Sequence, residues 1–247
     1  MRQLAALLFL FASLYGHAGT GNEFTFTCPD ELQIYGDHHV PEGETRAVIA
    51  LFHQGGGNAR AEYSNIIPRL LALGFEVYAF DMRAGGEYLG GVNRTIAAMG
   101  GDDEVEYCDV YDDVEAALEY LTDQAGTPVI LWGSSYSGAL VYQLASRNPQ
   151  KVKAVLGFSP ASGGPMAECR PGLYLDGISM PAVAFRPARE MGSPSALKQQ
   201  SSFEEAGVPY HVIEDGVHGS SMLNPEKVEG DAAEAWAFVE NFLTGLD

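Results

Sequence analysis

The stretch Val129-Ile130-Leu131-Trp132-Gly133-Ser134-Ser135-Tyr136-Ser137-Gly138-Ala139-Leu140 limits the possible folds more than any other part of the chain. A short apolar run, the pattern of a buried strand, enters it, and an amphipathic helical pattern leaves it. A strand can turn directly into a helix only where small residues let the two backbones cross, and Gly133 and Ser137 supply them. At such a corner the residue two places after the glycine is thrown clear of its neighbours, and Ser135 stands there. The full pattern G-x-S-x-G departs at its last place, where Ser137 precedes Gly138. Taken alone, the stretch also fits a plain Gly/Ser turn with three serines in it. Its meaning depends on what the remaining chain sets beside Ser135.

That chain alternates apolar strand patterns with helical ones. Strands are expected at 23–27, 32–35, 46–52, 75–80, 129–132, 152–158, 180–185 and 208–213, and helices at 59–73, 107–122, 136–147, 195–206 and 231–243. Short β-branched runs between helices are the signature of βαβ units. The predicted class is α/β: a mostly parallel central sheet with helices on both faces and little or no cap. Right-handed crossovers then bring all strand-to-helix loops to one edge, where ligands bind. Residues 82–104 and 159–178 read as irregular segments walling that edge, with Tyr88, Met166 and Tyr174 as possible lining residues.

Length and charge narrow the function. At 247 residues with 46% hydrophobic content, the chain is long enough for a sizeable core. Fourteen Lys and Arg stand against 33 Asp and Glu, for a net charge of −19. A surface this acidic repels phosphate backbones and anionic lipid, so nucleic acid is excluded as a partner. Met1-Arg2-Gln3, the apolar run Leu4 to Leu14 and Gly16-His17-Ala18 read as a signal peptide cut after Ala18. The run is about half the roughly 20 residues of a spanning helix. The expectation is one exported domain over 19–247, secreted or periplasmic, with no stable membrane anchor after cleavage and its oligomeric state left open. Of Cys28, Cys108 and Cys169, two are free to pair in an oxidising compartment, and the spacing does not say which. Asn93-Arg94-Thr95 is a glycosylation sequon, a weak signal at this length.

A serine hydroxyl is a poor nucleophile until a base takes its proton. Tyr136 opens a helix, so its N–H lacks an intrahelical acceptor and is aimed at the site beside Ser135. His53-Gln54-Gly55-Gly56-Gly57 follows the first strong strand, and its glycines let backbone N–H groups turn toward an anion. Gly55 and Tyr136 together would form a two-donor oxyanion hole. The loop lacks the Gly-Lys-Ser/Thr ending of a phosphate-binding loop. Among the six histidines, His17 lies in the leader, His38 and His39 in an early polar loop and His211 within a strand. His53 reads as structural. His218, in the glycine-flanked loop after the last strand, is the candidate base. The acid that orients it is Glu190, with Glu168 as the alternative and Asp215 as a loop-stiffening residue.

The order Ser135, Glu190, His218, with a His-Gln-Gly-Gly-Gly loop upstream, resembles the α/β-hydrolase superfamily over nearly the whole mature chain. It is most similar to small members of the dienelactone hydrolase and lysophospholipase/carboxylesterase kind. The superfamily's His-Gly-x-x-Gly becomes His53-Gln54-Gly55-Gly56-Gly57. Its Asp-x-Arg-Gly-x-Gly becomes Asp81-Met82-Arg83-Ala84-Gly85-Gly86. Its Gly-x-x-Asp acid loop becomes Pro187-Ala188-Arg189-Glu190. The resemblance implies hydrolysis of an ester or related acyl bond on a small-molecule substrate through an acyl-enzyme, with no metal or organic cofactor. A peptidase or thioesterase on the same residues, or a non-catalytic binding domain with the same fold, remain as the rival expectations.

Overall fold

Successive side chains of a strand point to opposite faces of its sheet. In the computed structural model, which describes residues 21–101 and 105–246, Val48, Ala50 and Phe52 enter one hydrophobic core while Ile49 and Leu51 enter another. Val129 and Leu131 divide from Ile130 and Trp132 in the same way. A strand with a core on each face reads as an unbroken apolar run, which is what these segments show.

The strands are β1 (Asn22–Thr27), β2 (Gln33–His39), β3 (Ala47–Phe52), β4 (Phe75–Asp81), β5 (Val129–Ser134), β6 (Val152–Phe158), β7 (Ala182–Pro187) and β8 (Tyr210–Ile213). They form one eight-stranded sheet in the order β1-β2-β4-β3-β5-β6-β7-β8. β1 and β2 pair antiparallel, as do β2 and β4. All pairs from β4 and β3 through to β8 are parallel. The helices are α1 (Ala59–Tyr63), α2 (Ile67–Ala72), α3 (Arg94–Met99), α4 (Tyr111–Ala125), α5 (Tyr136–Arg147), α6 (Pro194–Glu205) and α7 (Ala233–Thr244). Helices α4, α5 and α6 bury against one face, and α1, α2 and α7 against the other. The expected class stands, without a large cap. The strand order reverses at β3, which lies between β4 and β5, and this opens a crevice at their carboxyl ends.

Three local expectations are corrected. The helix expected over 59–73 is two, α1 and α2: Pro68, in the first turn of α2, has no N–H to donate back to the Ser64 carbonyl, so the ladder is interrupted there. Residues 82–104 are not wholly irregular. Asn93 caps α3 through its side chain, which accepts the Ile96 N–H at 3.0 Å, and Gly100 ends the helix at φ 91°. His38 and His39 belong to β2, opposite Tyr78 and Val77, rather than to a loop. Asn93 is also 2% exposed and its amide donates to the Met82 carbonyl at 2.9 Å, so the sequon is sealed inside the folded chain.

The signal peptide expected over 1–18, with its cut after Ala18, lies outside the described residues. No helix among the described residues is long and apolar enough to cross a membrane. Cys108 and Cys169 form a disulfide that ties the segment before α4 to the irregular chain after β6. Cys28 is free and buried, and burial with the nearby Asp113 carboxylate pushes its thiol up to about 12. The cross-link closes a separation of 61 residues. Replacing both of its cysteines by serine is expected to lower unfolding free energy by about 2–4 kcal/mol in urea titrations.

Candidate active site

The corner after β5 is built as the sequence implies. Gly133 is required there, since a Cβ on it would stand 2.3 Å from the Ser137 carbonyl oxygen. Ser135 adopts φ 61° and ψ −116°, a strained conformation for a residue with a Cβ. Its N–H is held by the Phe158 carbonyl at 2.8 Å. From Val129 to Ala145 every residue is buried except Ser135.

The three serines separate by their partners. Ser137 takes the Ser134 N–H at 2.8 Å, and its hydroxyl lies 2.7 Å from the Phe52 carbonyl and 3.0 Å from that of His53. A hydroxyl in place of the motif's last glycine therefore ties the elbow to the end of β3. Ser134 Oγ accepts the Ser220 N–H at 2.9 Å. Only the Ser135 hydroxyl is half-buried and has no hydrogen bond among the described residues.

The loop after β3 is ordered by its first residue. His53 accepts the Met82 N–H at Nε2 (2.8 Å) and donates from Nδ1 to the Gln54 carbonyl (2.8 Å). Complete burial lowers its pKa, so it is a neutral, structural imidazole. Three of the next four N–H groups are occupied: Gln54 by Glu62 Oε2, Gly56 by the Ala84 carbonyl and Gly57 by the Gln54 carbonyl. The Gly55 N–H has no acceptor among the described residues, and neither has the Tyr136 N–H at the start of α5. These are the two donors expected from the sequence. Gly55 has no room for a side chain, since a Cβ there would meet the Tyr107 hydroxyl at 2.5 Å. The Tyr107 ring in turn stacks on Tyr136 at 4.9 Å between centroids.

β7 and β8 deliver the remaining pieces. His218 Nδ1 and Glu190 Oε1 lie 2.6 Å apart. The other carboxylate oxygen of Glu190 accepts Arg186 Nη1 at 2.7 Å. Burial alone would raise the Glu190 carboxyl, but the bond and charge of His218, with the Arg186 and Arg189 guanidiniums, hold it below its ordinary value. An ionised Glu190 keeps the proton of His218 on Nδ1 and leaves Nε2 as the free acceptor. Glu168 is exposed; its backbone carbonyl accepts the Tyr174 hydroxyl at 3.3 Å, and among the described residues no bond joins its carboxylate to His218. The two residues after His218 lock its loop onto the elbow: Gly219 N–H donates to Ser159 Oγ at 2.9 Å and Ser220 N–H to Ser134 Oγ. No hydrogen bond joins Ser135 to His218 among the described residues. Such contacts commonly tighten only with substrate in place.

Several contributors escape sequence reading. Arg186 stands just past the strand expected at 180–185, where it reads as a loop residue, yet it is 5% exposed and anchors Glu190 while bonding Tyr210 and Gln199. Tyr107 and Glu62 sit in helical patterns that read as ordinary surface or packing positions. Beside His218 a cleft of about 270 Å³ is lined by Gln54, Tyr88, Leu89, Arg189, Val217 and Lys227 among others. Of the lining residues expected, Tyr88 is there, Met166 is buried and Tyr174 lies elsewhere, under Arg147. No cluster of His, Cys, Asp or Glu among the described residues is arranged to hold a metal ion.

Solved structures of the same fold include a Pyrococcus furiosus esterase, 17% identical with a TM-score of 0.68 over 91% of this chain and 90% of that one. A protein assigned as a dienelactone hydrolase from Klebsiella pneumoniae is 12% identical, TM-score 0.65, over 90% and 98%. An acylaminoacyl peptidase from Pyrococcus horikoshii is 14% identical, TM-score 0.63, over 90% of this chain, which spans 41% of the peptidase. At these identities the likeness is one of fold. Residues 43–196, more than half of the chain, match the family described as serine aminopeptidase, S33. The chain thus belongs to that family of α/β-hydrolases.

Proposed function

We propose that this hydrolase is an exported serine esterase, acting on an ester or related acyl bond through Ser135, His218 and Glu190. The observation that carries the reading is the His218–Glu190 pair, held at 2.6 Å on a loop that is itself bonded to the elbow of Ser135. Ser135 Oγ attacks the carbonyl carbon while His218 Nε2 takes its proton. The tetrahedral oxyanion is held by the Gly55 and Tyr136 N–H groups, both without an acceptor among the described residues. Collapse expels the leaving group, which receives the proton from His218. Water, deprotonated by the same nitrogen, then releases the acid. No step calls on a metal or an organic cofactor. The Cys108–Cys169 disulfide supports an oxidising location, in keeping with the leader-like first 18 residues.

The open cleft, with no large cap over it among the described residues, favours small acyl groups. A panel of p-nitrophenyl esters of graded chain length is expected to show turnover that falls as the acyl chain grows, with a fluorophosphonate labelling the wild type and not Ser135→Ala. Equal labelling of the two proteins would remove Ser135 as nucleophile. The family's description supports a peptidase as the second reading, and preferential cleavage of aminoacyl p-nitroanilides would select it.

A further inference from the structure

A carboxyl that the chemistry above does not use lies directly behind the elbow. Glu62, on α1, is 2% exposed. Its Oε2 accepts the Gln54 N–H at 2.7 Å, at the root of the glycine loop. Its Oε1 has no hydrogen-bond partner among the described residues. Across from that oxygen is Gly219, the residue after His218: a Cβ built there would stand 3.6 Å from Glu62 Oε1, 3.6 Å from Gln54 Oε1 and 2.3 Å from Ser134 Oγ. Gly219 holds φ 66°, which suits a residue without a side chain, and this lets the histidine loop close against the carboxyl. One buried group thus borders the donor loop, the elbow and the histidine loop. A purely structural site would be served more cheaply by an apolar or fully bonded residue, because a carboxyl with an unused oxygen is costly to bury.

We propose that Glu62 is a positioning residue of the site, whose carboxyl holds the Gly55 loop in register with the loop carrying His218 and whose charge sets how readily His218 keeps a proton. The inference rests on the reading of His218 as the base. Burial pushes the Glu62 carboxyl up to about 7, against the opposing pull of Ser134, the Gln54 N–H, His218 and Lys227. Glu62 therefore changes charge in the neutral range. The charged and titratable groups around it are His218 and Lys227 from the chain after β8, with the phenols of Tyr63 on α1 and Tyr136 on α5, both kept neutral by burial. Coupling between two sites is reciprocal. If a protonated His218 favours the Glu62 carboxylate, that carboxylate favours protonated His218 by the same amount. A base must be neutral to act. A neutral residue at 62 therefore moves the acid limb of kcat/KM to lower pH.

Glu62→Gln tests this, since the amide oxygen still accepts the Gln54 N–H. The His218 ring is titrated by NMR in wild type and variant. Its midpoint is expected to fall by roughly half a pH unit in Glu62→Gln, and the acid limb of ester hydrolysis is expected to move with it. A glutamate that served only packing would leave the midpoint where it is, and coincident curves overturn the proposal. Should Glu62→Gln not fold, the Glu62 carboxyl resonance is followed in wild type and His218→Asn. Loss of the histidine's charge is expected to raise the Glu62 midpoint, and an unmoved midpoint overturns the proposal equally. Both titrations are read without turnover, so a chain inactive on esters refutes the esterase reading separately from this one.

Discussion

Ser135→Ala is expected to lower kcat on any ester substrate by on the order of 10⁶-fold, the usual cost of removing a nucleophile that acts as one unit with its base. KM is expected to change little, because the Ser135 hydroxyl has no hydrogen bond among the described residues. Ser135→Gly separates chemistry from conformation. It abolishes turnover as alanine does, but it also removes the Cβ that makes φ 61° and ψ −116° unfavourable. Strain of about 1–3 kcal/mol is relieved, set against about 0.5–1 kcal/mol of extra chain entropy for glycine. The net expectation is a protein more stable than wild type by about 1 kcal/mol, seen as a higher urea midpoint. A Ser135→Gly chain less stable than Ser135→Ala would show that the elbow is not strained.

The second large effect is at the acid. Glu190→Gln is expected to lower kcat by about 10²–10⁴-fold. The amide is neutral, and its one oxygen is drawn to the Arg186 guanidinium, so its NH2 turns to Nδ1 and the imidazole loses both the charge that favours its protonated form and the acceptor that fixes its tautomer. Arg186 worsens the result, for its Nη1 would face an amide where it now meets a carboxylate at 2.7 Å. Glu168→Gln, on an exposed turn, is expected to leave kcat and KM within error. A loss at 168 with none at 190 would transfer the acid to the earlier loop. Steady-state kinetics on the short-chain ester preferred by wild type distinguish these outcomes.

What the sequence discloses depends on how local the physics is. β6 and α5 agree with the expected spans residue for residue, because a doubly buried strand and an amphipathic helix write their burial into composition. The corner at Ser135 is equally local, since its geometry needs small residues at fixed offsets. Pairings across the chain are not written that way. Cys108 and Cys169 were two of three candidates until the fold set their Cα atoms 5.6 Å apart. Glu62 looks like the polar side of a helix; it is buried in part against the chain at Gly219, which lies more than a hundred residues later. Arg186 breaks the apolar pattern of β7 and becomes intelligible only with Glu190 and Gln199 beside it. The break between α1 and α2 was signalled by Pro68, but the apolar periodicity running through it masked the signal.

The Ser137 hydroxyl has a consequence for how the site spends its binding energy. It fastens the backbone of the elbow to the carbonyls of Phe52 and His53, so the segment bearing the Tyr136 N–H and the segment bearing the Gly55 N–H share one anchor. Donors carried on independent loops must be gathered around each developing charge, and that reorganisation raises the barrier. Here the gathering is completed once, when the sheet forms. The two dipoles are then preorganised for every turnover, a gain realised in the transition state rather than in substrate affinity.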